Sequence, residues 1–223
     1  MELRKITGNV YWAMTKSKLL LTKNLVAGES VYGEKLLRIS GQEYREWIPI
    51  RSKLSAAFYK GLKTVAILEG SKVLYLGASS GTTVSHVSDM VGATGEVYAV
   101  EISEEMGANL ILLAEKRKNL FPIIEDARKT ETYSKFVPKC DFLYQDVAQR
   151  DQVDIFIKNS NAFLKNGAYG ALAIKTKSID VSKPSRFIIE QTVNSLKRNF
   201  IVQESIDLFP YQRDHALIIV RKK

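Results

Sequence analysis

Residues 73–83, Val73-Leu74-Tyr75-Leu76-Gly77-Ala78-Ser79-Ser80-Gly81-Thr82-Thr83, decide how this chain reads. Four apolar residues run into a turn built on Gly77 and Gly81, and Thr82-Thr83 open the segment that follows. A short apolar run, a glycine turn and a helical pattern make a strand–turn–helix unit. In an open α/β sheet, ligands bind in the crevice beyond the carboxyl end of such a strand. The Gly-x-x-x-Gly spacing departs from the Gly-x-Gly-x-x-Gly of dinucleotide sites. No Gly-x-x-x-x-Gly-Lys is present, which excludes a phosphate-cradling NTPase loop.

Working outward, the pattern repeats. Lys72–Leu76, Glu96–Val100, Leu120–Ile124, Phe142–Gln145 and Gly170–Lys175 read as strands. Thr82–Val91, Ser103–Lys118, Gln149–Leu164 and Ser185–Asn199 read as interleaved helices. Such alternation predicts a parallel sheet with helices on both faces. Ile201–Leu208 and Ala216–Arg221 differ. The short segment between them, including Phe209-Pro210-Tyr211-Gln212-Arg213, is too brief for a parallel crossover, so they form a hairpin and one strand runs against the rest. The expected fold is therefore α/β and Rossmann-like: a mostly parallel seven-stranded sheet with an antiparallel C-terminal strand.

Upstream, Ser52 is placed to cap a helix whose apolar positions recur from Leu54 to Leu68 at three- and four-residue spacing. Before it, Val10–Met14, Lys18–Leu25 and Lys35–Ile39 are short apolar or alternating runs separated by turn residues, and Tyr44–Ile50 closes the region. This predicts a small N-terminal antiparallel β domain over 1–51, attached to a larger domain over 52–223.

Of 223 residues, 33 are basic and 24 acidic, a net charge of +9. The charge is segregated: residues 1–60 carry 11 basic and 5 acidic side chains, whereas residues 61–110 carry 2 and 6. Basic flanks around an acidic stretch suit a polyanion held beside a pocket for another ligand, and equally suit a merely soluble surface. No apolar run approaches the ~18 residues that span a bilayer, and the amino terminus from Met1 lacks a signal-peptide pattern. A single cysteine, Cys140, excludes an internal disulfide and any multi-cysteine metal site, and no His/Asp/Glu cluster has metal-ligand spacing. These features point to a soluble cytoplasmic protein without a metal.

Two acids stand in register with the glycine turn. Glu101, 20 residues after Gly81, ends the second strand, where a carboxylate can accept both hydroxyls of a ribose. Asp126 follows the third strand, where it can accept an adenine amino proton. Glycine loop, ribose acid and adenine acid together describe an S-adenosylmethionine pocket, with solvated strand-end acids as the competing reading.

Tyr75 through Asp89, the tetrapeptide Asp146-Val147-Ala148-Gln149 and Arg51-Ser52-Lys53-Leu54 resemble fibrillarins, and the compact form without a Gly/Arg-rich tail resembles the archaeal ones. The resemblance runs from about residue 8 to the carboxyl terminus. It implies methyl transfer from S-adenosyl-L-methionine to a ribose 2′-hydroxyl of rRNA or tRNA, with the nucleotide chosen by a box C/D guide RNA. It also implies a Nop-domain scaffold protein and a kink-turn-binding ribosomal-type protein in the same particle. Carried over, Gly77 and Ala78 would bind the cofactor through the loop, Thr82 and Thr83 would meet the methionine part, and Glu101 the ribose. Ile102, Asp126 and Ala127 would meet the adenine, and Asp146, Val147, Ala148 and Gln149 would close the pocket. Ile102 stands where the family commonly has an aromatic residue, which implies weaker stacking.

The same resemblance implies a catalytic set of Lys53, Asp146, Lys175 and His215. Topology agrees for three of them: Asp146 and Lys175 end parallel strands, and His215 begins the last strand, at the same edge if that strand is the antiparallel one. Lys53 reaches the site only by tertiary packing. Lys175 is read as the base, oriented by Asp146, with the Lys53 charge beside it and toward RNA phosphate. Lys116-Arg117-Lys118, Arg128-Lys129, Lys197-Arg198 and Arg221-Lys222-Lys223 are candidate phosphate contacts. His86 is read as structural, and Cys140 as a small buried side chain. The alternatives are a methyltransferase acting on a protein glutamine, a nucleotide-dependent dehydrogenase, and a non-catalytic scaffold of an RNA particle.

Overall fold

The computed structural model describes residues 2–14 and 17–223, so Met1, at the head of the expected small domain, lies outside them. The first strands are β1 (Glu2–Thr7), β2 (Val10–Met14), β3 (Lys18–Lys23), β4 (Leu36–Ile39) and β5 (Gln42–Glu46). They form an antiparallel sheet in the order β1-β2-β3-β5-β4. β1 is an edge strand of largely exposed, half-polar sequence, and the apolar pattern does not reveal it.

A 3₁₀ turn at Pro49–Arg51 leads into α1 (Lys53–Tyr59). Ser52 caps this helix as expected, its hydroxyl accepting the Ser55 amide. The helix does not continue to Leu68. Gly61 takes φ +91°, and the chain runs on without regular structure to Lys72. Its backbone is answered by tertiary partners: Glu204 accepts from the amides of Lys63 and Thr64, and Thr7 donates to the carbonyls of Val65 and Ile67. Leu62 and Ile67 are buried without a helix to place them.

The second sheet contains β6 (Lys72–Leu76), β7 (Glu96–Glu101), β8 (Leu120–Ile124), β9 (Cys140–Gln145), β10 (Leu164–Lys175), β11 (Phe200–Asp207) and β12 (His215–Lys222). Its order is β11-β12-β10-β9-β6-β7-β8, parallel except at β12, which runs antiparallel to both β10 and β11. The seven-stranded α/β fold expected from the sequence is thus observed. The helices are α2 (Thr82–Val91), α3 (Glu104–Lys116), α4 (Thr130–Tyr133), α5 (Gln152–Phe163), α6 (Thr176–Ile179) and α7 (Ser185–Leu196). The four-residue helices α4 and α6 are too short for periodicity to reveal.

Strand alternation divides the core. Val73, Tyr75, Val97, Ala99, Tyr144 and Leu217 face one layer, together with residues of α1, α2, α3 and the N-terminal sheet. Leu74, Leu76, Val100, Leu143, Leu172 and Ile218 face the other, with residues of α5 and α7. The N-terminal sheet therefore contributes Val10 and Leu20 to the first layer, joined by Trp47 just beyond β5. A buried polar cluster reinforces that contact: Arg45 pairs with Glu34 (2.6 Å) and Asp89 (2.8 Å), and Arg117 pairs with Asp89 (2.6 Å). Among the described residues, no helix is long and apolar enough to cross a membrane.

Candidate active site

The glycine turn lies at the carboxyl edge of the parallel strands, as its sequence requires. Gly77 has φ +79°, and a Cβ there would collide with the Asp146 carbonyl. The absence of a side chain lets the loop after β6 lie against the loop after β9. Asp146 N donates to the Leu76 carbonyl at 2.9 Å, which holds the two loops together.

Two chambers meet at Gly77, Ser79 and Asp146. The first is lined by Glu101, Ile102, Asp126, Ala127, Val147, Ala148 and Gln149 among others. Every residue expected to hold the ribose and adenine, or to close over them, is therefore in one cavity. The second is lined by Thr82 and Thr83, the residues expected at the methionine end, by Ala78 of the cofactor loop, and also by Arg51, Tyr75 and Ser80. Sequence reasoning did not single out Ser79 or Glu125 in the first chamber, nor these last three in the second, and it read Arg128 only as a phosphate contact, because lining depends on how loops meet.

Glu101 is buried, and its two oxygens are oriented by separate amides, Ser79 N (2.7 Å) and Ser103 N (2.9 Å). Each carboxylate oxygen keeps capacity for a second donor, which is what a ribose diol supplies. Asp126 Oδ1 accepts from Arg128 N (2.9 Å) and lies 3.3 Å from Arg128 Nε, while the same guanidinium lies 3.6 Å from Asp151. Arg128 thus ties the adenine-side loop to the segment before α5. These donor and acceptor sets fit a nucleoside joined to an amino acid.

Lys53 Nζ donates to Asp146 Oδ2 at 2.8 Å, although the residues are 93 apart in sequence. Asp146 therefore pairs with Lys53, where the sequence reading has it orienting Lys175. Lys175 and His215 face each other as register partners on β10 and β12. Burial holds the His215 imidazole below its usual range. The nearby Lys53 and Lys175 charges push in the same direction, while a hydrogen bond with the Arg213 carbonyl (2.6 Å) and the Asp146 charge oppose them. The four residues thus form one electrostatic group. Lys175 is exposed and has no ion-pair partner among the described residues.

Supporting residues were not legible in the sequence. Gln152, fully buried, accepts Lys175 N (3.2 Å), donates to the Gln149 carbonyl (2.8 Å) and accepts Gln145 Nε2 on its own carbonyl (2.6 Å). Thr176 donates from both N and Oγ1 to the Asp214 carbonyl at 3.0 Å, which holds the end of β10 to the start of β12. Ser79 and Asp214 have positive φ without being glycine, backbone strain of the kind that gathers at functional sites.

His86 is structural as read. It stacks on Trp47 and shares hydrogen bonds of 2.8 Å with Thr22 and Tyr32. Cys140 is buried, and burial pushes its thiol up to about 12, far from a nucleophile.

Comparison with known proteins agrees with this geometry. The fibrillarin family model matches residues 1–223. A fibrillarin-like rRNA/tRNA 2′-O-methyltransferase of Sulfurisphaera tokodaii is 52% identical over 205 residues, covering 92% of this chain and 88% of the relative. Aeropyrum pernix fibrillarin, crystallised with natively bound S-adenosyl-L-methionine, superposes with a TM-score of 0.88 at 40% identity, covering 98% of this chain and 99% of that one. The fibrillarin of a fibrillarin/Nop5p complex gives 0.89 at 38% identity, covering 99% and 100%. With a family model matched from end to end and a relative 52% identical over 92% of it, this chain belongs to the fibrillarin family.

Proposed function

We propose that this protein transfers a methyl group from S-adenosyl-L-methionine to the ribose 2′-hydroxyl of target nucleotides in rRNA and tRNA, directed by a box C/D guide RNA. The observation that carries this reading is the meeting of the two chambers at Asp146, where Lys53 also ends, beside the Lys175–His215 pair.

Glu101 and Asp126 hold the nucleoside, and Ala78, Thr82 and Thr83 hold the methionine portion. When bound, the cofactor supplies a methyl group already activated on a sulfonium. The chain's own residues then have two tasks: to align the hydroxyl oxygen with that methyl, and to take its proton. Asp146, at the junction, marks where the reacting atoms meet and holds Lys53 there. Lys175, at the end of β10 and without an ion-pair partner among the described residues, is the residue assigned to take the proton, which it does as the neutral amine. His215, biased toward its neutral form, adds no charge to a site that already holds two lysines. Lys53 opposes the negative charge that grows on the attacking oxygen and attracts RNA phosphate.

Residues 1–51 form an attached β domain and residues 52–223 the methyltransferase domain. The protein works in the cytoplasm, in a particle with a Nop-domain scaffold, as in the related fibrillarin/Nop5p complex, and with a kink-turn-binding protein on the guide RNA. Methyl transfer with labelled cofactor and a reconstituted guide particle tests the reading. A ribose target is labelled and a 2′-deoxy target at the guided nucleotide is not; equal labelling of both refutes it.

A further inference from the structure

Lys53 is the one member of the site that neither strand register nor the glycine loop places, and a buried hydroxyl pair accounts for its position. Ser52, 2% exposed, precedes it directly. The Ser52 hydroxyl accepts the Thr83 hydroxyl at 3.0 Å and the Ser55 amide at 3.3 Å. Thr83, the second residue of α2, lines the methionine chamber. One oxygen thus joins the cofactor loop to the first turn of α1. Lys53, the first residue of that turn, reaches across to Asp146, whose amide returns to the Leu76 carbonyl at the start of the same loop. Ser55 Oγ, donating to the Trp47 carbonyl at 2.6 Å, anchors the turn from its other side.

We propose that Ser52 is a positioning residue for methyl transfer: by bridging Thr83 and the α1 amino terminus, it sets Lys53 against Asp146 where cofactor and RNA meet. The inference rests on the methyl-transfer reading and gives it a mechanical link between the cofactor loop and a catalytic lysine. A helix cap alone needs no partner on another helix, whereas this hydroxyl is shared between two. The bridge is buried, so water does not replace it freely when it is cut.

The test compares wild type, Ser52→Gly, Ser52→Thr, Thr83→Val and the Ser52→Gly/Thr83→Val double variant in the reconstituted guide particle. Glycine is nearly as good a cap as serine, so Ser52→Gly separates capping from bridging. Single-turnover methyl transfer at saturating cofactor and RNA should fall about 10- to 100-fold in Ser52→Gly, as expected for a small misplacement of a reacting group. The KM for RNA should stay within about twofold, because uniform binding is untouched. Ser52→Thr should restore the rate. With cofactor kept saturating for each variant, so that the contact of Thr83 with the methionine end does not limit the rate, Thr83→Val should add little in the Ser52→Gly background, because both cut the same bridge. A wild-type rate in Ser52→Gly, or effects of the two substitutions that simply multiply, overturns the proposal. Equal labelling of ribose and deoxyribose by wild type would refute the substrate assignment alone, since the five proteins would still be ranked by their rate of methyl transfer.

Discussion

At the residue scale, Asp146 and Lys53 form a pair whose side chains are each about one-fifth exposed. A pair at the junction of the two chambers, only partly withdrawn from water, stands where it can act on what binds there. Asp146→Ala and Lys175→Ala should each abolish methyl transfer while leaving thermal unfolding within a few degrees of wild type. Near-normal turnover in either would remove that residue from the mechanism. His86 makes a contrasting case. Burial, then the Arg45 and Arg117 charges, hold its imidazole well below the usual 6.5. Below that pH the unfolded chain takes up a proton that the folded protein refuses. Unfolding free energy should therefore fall with decreasing pH from about 6.5, by up to ~1.4 kcal/mol per pH unit for this group. His86→Gln should be less stable at neutral pH but show a shallower dependence in urea titrations between pH 6.5 and 5. An unchanged slope would exclude His86 as its source.

At the scale of elements, the β6–α2 turn and the loop after β9 are built to touch. Gly77→Ala places a methyl group against the Asp146 carbonyl and asks an L-residue to adopt φ +79°. The substitution should cost about 1–3 kcal/mol of stability and weaken cofactor binding, read by denaturant unfolding and calorimetric titration with S-adenosylmethionine. Wild-type values for both would contradict the close approach. Much of this scale was legible beforehand. β6, α2 and β8 run from the residues their patterns indicated, because a buried strand between turn residues and a glycine-opened helix are local statements. The capped start of α1 was legible for the same reason. Its end was not: the apolar spacing beyond Tyr59 serves burial of an irregular segment, and partners such as Glu204 and Thr7 lie far away in sequence.

At the scale of the whole molecule, the N-terminal sheet is joined to the α/β layer through Arg45, Glu34, Asp89 and Arg117, all with essentially buried side chains. Arg45→Leu leaves two carboxylates buried without that partner and should destabilise by about 3–5 kcal/mol in denaturant unfolding. By contrast, Lys116→Ala, which cuts the exposed pair with Glu29, should change stability by less than ~1 kcal/mol. Equal effects would mean the buried cluster does not hold the sheet in place. The sequence by itself determined the kind of fold, the cofactor loop with its two acids, and the residue types available for chemistry, because strand alternation, helix periodicity and glycine turns are encoded by near neighbours. Only the tertiary structure decided that Asp146 pairs with Lys53, that Ser52 meets Thr83, that Gln152 braces the end of β10, and that the two sheets share a core. Those contacts join residues tens of positions apart, and what places them is packing between layers, which no local spacing records.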